Sequence, residues 1–97
     1  MKVNDYGFIV KGKGYNPAIN RTVLDSGSFR TTIVGVETSE QALEVAKQMI
    51  TQEIQIIELC GGFDPKYADE IMEELNNLVP VGQVMFSERA RDIMKDK

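Results

Sequence analysis

Residues 54–65 read IQIIELCGGFDP, and their order of residue types decides the fold. Residues 54–60 are dominated by β-branched and aliphatic side chains, the composition of a strand. Two glycines and an Asp-Pro pair follow, and Asp64 before Pro65 is an N-cap with proline at the first helical position. Over 65–77, Ala68, Ile71, Met72 and Leu75 fall on one stripe, opposite Asp69, Glu70, Glu73 and Glu74, the pattern of an amphipathic helix. A strand that runs straight into such a helix is half of a β-α-β unit.

The alternation extends in both directions. Strand-like runs occur at YGFIVK (6–11), FRTTIVGV (29–36) and VGQVMF (81–86). Residues 39–52 carry an apolar stripe of Ala42, Leu43, Ala46, Met49 and Ile50, preceded by a Thr38/Gln41 capping box,. In 12–28, Asn16-Pro17 is expected to open a short helix that buries Ile19, Val23 and Leu24 and stops at Gly27. Residues 87–97 read as a last helix capped by Ser87, with Ala90, Ile93 and Met94 inward. The expected fold is a single small α/β domain over 1–97. It has an alternating (βα)4 order and a four-stranded, mainly parallel sheet, doubly wound in the flavodoxin-like manner. If 12–28 is a loop instead, the first strand pairs antiparallel and the sheet is mixed.

Composition narrows the chemistry. Of 97 residues, 42% are hydrophobic and 27% charged, within the globular range. The net charge of −4 argues against nucleic acid and against an anionic membrane as partners, since both need a basic face. The chain has one cysteine and no histidine. That leaves no intrachain disulfide, no metal cluster, and no ordinary neutral-pH general base. Neither a metal nor another cofactor is expected. No apolar run reaches the length of a spanning helix and MKVNDYGF is not a signal peptide, so a cytoplasmic protein is expected.

Alternation places Ile54, Ile56, Glu58 and Cys60 on one strand face and Gln55, Ile57 and Leu59 on the other. Glu58 breaks a run that should be apolar throughout. A carboxylate there needs a partner. An ion pair with Arg30 or Lys11, or a subunit contact, is the simple account, and a catalytic carboxylate the sharper one. Arg30, Thr32 and Gln83 are the other polar strand positions. Together with Glu58 they point to a sheet face that the domain does not cover with its own helices.

Ligands of parallel sheets bind beyond the carboxyl ends of the strands. Here that rim holds Lys13 and Tyr15 in one loop and Gly61, Gly62, Phe63 and Asp64 in another. Gly61-Gly62 before a helix has the form of an anion cradle, but Asp64 at the N-cap would repel an anion and a tight turn with φ > 0 is the simpler account. Cys60 at the strand end is a candidate nucleophile with no histidine to activate it.

ELCGGF, with TTIVGV (31–36), ALEVAKQMI (42–50) and VPVGQVMF (79–86) in that order, resembles a small bacterial family of unknown function. The resemblance runs from the first strand run to the fourth, and the tail SERARDIMKDK lies outside it. It implies a single-domain unit and draws attention to Glu58 through Phe63. Three functions are expected to compete. The first is a homo-oligomer that binds a small metabolite or anion at the strand-end rim. The second is a lyase- or isomerase-like enzyme with Glu58 as acid/base and Cys60 as helper, and the third a pure self-assembly module.

Overall fold

A computed structural model describes residues 2–97. Its elements are β1 (Asp5–Lys11), β2 (Arg21–Asp25), β3 (Arg30–Val36), α1 (Ser39–Thr51), β4 (Ile56–Leu59), α2 (Tyr67–Glu74), β5 (Val81–Gln83) and α3 (Glu88–Met94). They form one five-stranded sheet in the order β2-β3-β1-β4-β5. Strands β3, β1, β4 and β5 are mutually parallel, and only β2 runs against its neighbour.

The fold is therefore α/β with a mostly parallel mixed sheet, but it has five strands rather than four and no helix after β1. The expected helix in 12–28 is replaced by β2, which turns at Gly27 (φ 89°) into β3. Asn16 opens no helix: its side-chain oxygen accepts the Ala18 N–H at 3.0 Å, an Asx turn,. Ile19, Val23 and Leu24, expected inside, are 73%, 52% and 61% exposed. The sheet is mixed through this inserted strand, whereas β1 is parallel to both of its neighbours.

The chain is not doubly wound. The connection β3-α1-β4 steps across β1, and β4-α2-β5 steps onward in the same direction. Right-handed crossovers that step the same way put their helices on the same face. Accordingly one core cluster unites Ala42, Val45, Ala46 and Met49 of α1 with Ala68 and Ile71 of α2. Against them pack Ile9, Val34, Val36, Ile57, Leu59 and Val81 from alternate strand positions. The capping box starts α1 as its sequence predicts: the Gln41 N–H donates to Thr38 Oγ1 at 3.2 Å, and Gln41 Oε1 accepts the Thr38 N–H at 3.2 Å.

The other two helices depart from expectation. Helix α2 starts at Tyr67 after Lys66, with Asp64 one turn earlier; the Asp64 carboxylate accepts the Lys66 N–H at 3.1 Å. Ser87 does cap α3, accepting the Ala90 N–H at 3.1 Å. Yet α3 has no buried residue, and Ile93 and Met94 are 56% and 49% exposed. The core beneath α1 and α2 is already closed, so α3 has no apolar seat in its own chain.

Truncating Ile57 to Ala at the centre of that core is expected to cost about 2–5 kcal/mol, and Thr38→Ala about 1 kcal/mol. Urea unfolding checks both; equal, negligible losses would contradict this assignment of core and cap.

Candidate functional site

The strand registers divide the polar strand residues between the two faces of the sheet. Phe8 stands opposite Ile33 on one side and Glu58 on the other, and Glu58 stands opposite Gly82. Directly opposed residues share a face. Tyr6, Phe8 and Val10, Thr31 and Ile33, Ile56 and Glu58 thus line the face that no helix covers. All are half-buried. Glu58 is the only charged side chain among the strand positions on this open face.

Arg30, Thr32, Lys11 and Gln83 lie on the opposite, helix-bearing face, which rules out the cation partners expected for Glu58. Arg30 Nε pairs instead with Asp5 Oδ1 at 2.7 Å, and Lys11 Nζ lies 3.5 Å from Ser39 Oγ and 5.5 Å from the centre of the Phe63 ring. Among the described residues no cation pairs with Glu58. Its neighbour is Tyr6. The Tyr6 phenol is pushed up to about 12, first by burial and then by the charge and hydrogen bond of the Glu58 carboxylate. An acceptor that must lose its donor when the phenol ionises resists that ionisation.

The open face is not flat. The Tyr15 ring lies over Gly35, where a Cβ would come within 2.7 Å of ring carbon. Glycine is required there because the ring occupies the side chain's place. Beside it is a shallow cleft of about 210 Å³ lined by Val10, Tyr15, Asn20, Arg21, Thr22 and Ile33 along with Gly35. Tyr15 therefore belongs to the open face, while Lys13 in the same loop is exposed.

The second rim loop is tied down at Cys60 and Phe63, while Gly61, Gly62 and Asp64 stay exposed. The Lys11 N–H donates to Cys60 Sγ at 3.2 Å. The cysteine side chain thus serves as the acceptor where the β1–β4 ladder ends. Neither Gly61 nor Gly62 has a positive φ. A Cβ on Gly61 would sit 3.0 Å from the Phe86 ring, so close approach replaces the expected turn conformation. Phe63 is buried and stacks on Tyr67 at 5.7 Å between centroids. Gln83 Nε2 holds the carbonyls of Phe63 and Asp64 at 2.9 and 3.1 Å, while its Oε1 is buried without a partner.

The structure thus keeps Gly61 to Asp64 together at the rim but separates them from Tyr15 and from Glu58. Glu58 lies on the open face beside Tyr6, whereas Cys60 follows the end of β4, packs against the core and is engaged by the backbone. Sequence reading missed Tyr6; its period-two position in YGFIVK carried the signal, but the pairing of the first strand with the third run was needed to read it. Among the described residues no three His, Cys, Asp or Glu side chains converge to hold a metal ion, and no helix is long and apolar enough to cross a membrane. A carboxylate and a neutral phenol on an apolar floor accept a hydrogen-bond donor or a cation.

Spectrophotometric titration is expected to show one tyrosine ionising near pH 12, moved down in Glu58→Gln but still above 10, because burial remains. A phenol whose folded value is raised stabilises the fold below the unfolded value and loses that contribution as pH rises through the folded one. Stability is therefore expected to fall between about pH 10 and pH 12, more steeply in the parent than in Glu58→Gln.

No curated protein and no solved structure matches the chain. A family model matches residues 4–97, so the match takes in the tail that the resemblance left out. The chain belongs to the family of unknown function DUF6506.

Proposed function

We propose that the chain is an assembly unit that self-associates through its open sheet face and, in closing that face, builds a small-molecule site around Glu58 and Tyr6. The observation that carries this reading is the bare face of a parallel sheet. Parallel sheets are buried on both faces as a rule, because their strands are apolar on both. Here β1 offers Tyr6, Phe8 and Val10 to solvent, β3 offers Ile33 and β4 offers Ile56, with Tyr15, Leu24 and Phe29 exposed nearby. A patch of that composition on a small domain marks an interaction surface.

Self-association covers the aromatic and aliphatic residues and leaves the carboxylate to be satisfied. Covering Glu58 without a partner costs several kcal/mol. The Tyr6 phenol is the donor beside it, and a ligand with a cationic group or an N–H or O–H donor supplies the remainder. The binding reading thus moves from the strand-end rim to the sheet face. An enzyme would use the same pair, Glu58 as base and Tyr6 as a donor that stays protonated at neutral pH.

Light scattering is expected to find the wild type larger than one chain, with Phe8→Glu and Ile33→Asp reducing its mass while circular dichroism is retained. A wild type that stays a single chain up to millimolar concentration would refute the assembly. A screen of small amines is expected to raise the melting temperature of the wild type and not of Glu58→Gln.

A further inference from the structure

A second association surface lies at the edge of the sheet, away from the open face. Strand β2 is the outermost strand, and all five of its residues are exposed. Its pairing with β3 fixes which backbone groups are used. The Ser26 N–H donates to the Phe29 carbonyl at 3.2 Å and the Gly35 N–H to the Asn20 carbonyl at 2.8 Å. Even-numbered residues of β2 therefore turn their amides and carbonyls toward β3, and Arg21, Val23 and Asp25 turn theirs outward. The Arg21 N–H is taken by the Ile19 carbonyl at 3.1 Å. Those of Val23 and Asp25 have no acceptor among the described residues.

Natural edge strands are blunted by short length, charged side chains, proline, a bulge or a covering segment. RTVLD contains no proline or lysine and β2 pairs with β3 without a bulge, and the two charges it carries, Arg21 and Asp25, are of opposite sign. No helix covers it either: the helix-bearing side of the sheet beneath it is an open cleft of about 440 Å³ lined by Arg21, Val23, Arg30, Thr32, Gln52 and Ile54.

We propose that β2 pairs antiparallel with β2 of a second copy, centred on Val23, to make one continuous ten-stranded sheet across a two-fold axis. The strand is self-complementary in that register. Arg21 stands opposite Asp25 and Thr22 opposite Leu24, twice over by symmetry. Each Val23 N–H meets the other Val23 carbonyl, and each Asp25 N–H meets the other Arg21 carbonyl. A shift of one residue sets outward groups against inward ones, and a shift of two separates Arg21 from Asp25. Both charges are free to pair. Arg21 has no ion pair among the described residues, and Asp25 gives one carboxylate oxygen to the Gly27 N–H at 2.8 Å. Opposite charges directly across an antiparallel pair stabilise it and like charges oppose it, so this register selects a second copy over an arbitrary strand.

Hydrogen exchange read residue by residue tests the pairing, with light scattering alongside. The Val23 and Asp25 amides are expected to exchange more slowly as wild-type concentration rises, while Thr22 and Leu24, bonded to β3, stay protected throughout. Arg21→Glu, an exposed substitution, is expected to weaken association at least about tenfold and to remove the protection of Val23 and Asp25 only. Phe8→Glu acts on the other surface and is expected to leave that edge protection in place. Val23 and Asp25 amides that exchange as free loop amides at every concentration would overturn the proposal, whatever the open face does. So would an unchanged mass in Arg21→Glu.

Discussion

Two crossovers that step the same way across the sheet control this molecule. Because β3-α1-β4 and β4-α2-β5 advance in one direction, α1 and α2 share a face and enclose one core between them. No third or fourth crossover returns to cover the other face. The last helix, α3, follows β5 but buries none of its residues. A parallel sheet half covered is the physical condition from which the rest follows: apolar strands on a solvent-facing side, and a carboxylate placed among them.

That condition changes the meaning of Glu58. On a doubly wound sheet it would be a deeply buried charge and would demand a cation. On the open face it is half-buried and is served by the Tyr6 phenol, which burial and the carboxylate together hold neutral. At the strand-end rim, by contrast, Cys60, Phe63 and Gln83 are engaged within the chain, while Gly61, Gly62 and Asp64 are exposed. Cys60 completes a ladder, Phe63 packs on Tyr67, and Gln83 ties the loop carbonyls to β5. The proposed site uses the carboxylate and phenol of the sheet face instead.

The parts of the fold written in local periodicity were legible. Thr38 and Gln41 announce α1, the stripe from Ala42 to Ile50 supplies its buried side, and 54–60 with 81–86 yield parallel strands. The uncovered face was anticipated from polar strand residues, but from the wrong set. Arg30, Thr32 and Gln83 point to the helix side, because inter-strand register, which the sequence of a single strand does not contain, decides which residues of different strands share a face. Region 12–28 misled because Val23 and Leu24 fit a short apolar helix as well as an edge strand; pairing with β3 decides between them. Tyr6 was invisible as a partner of Glu58 for the same reason, since 52 positions separate them and only the parallel pairing of β1 with β4 sets Tyr6 beside Ile56 and Phe8 beside Glu58.

Assembly as proposed requires the open face to be an interface. The most direct measurement is the concentration dependence of side-chain NMR signals, from micromolar to millimolar protein. Signals of Tyr6, Phe8, Ile33 and Ile56 are predicted to shift with concentration, while those of Ile9, Val34 and Ile57 on the helix-bearing face stay fixed. Open-face signals that do not move across that range would contradict it.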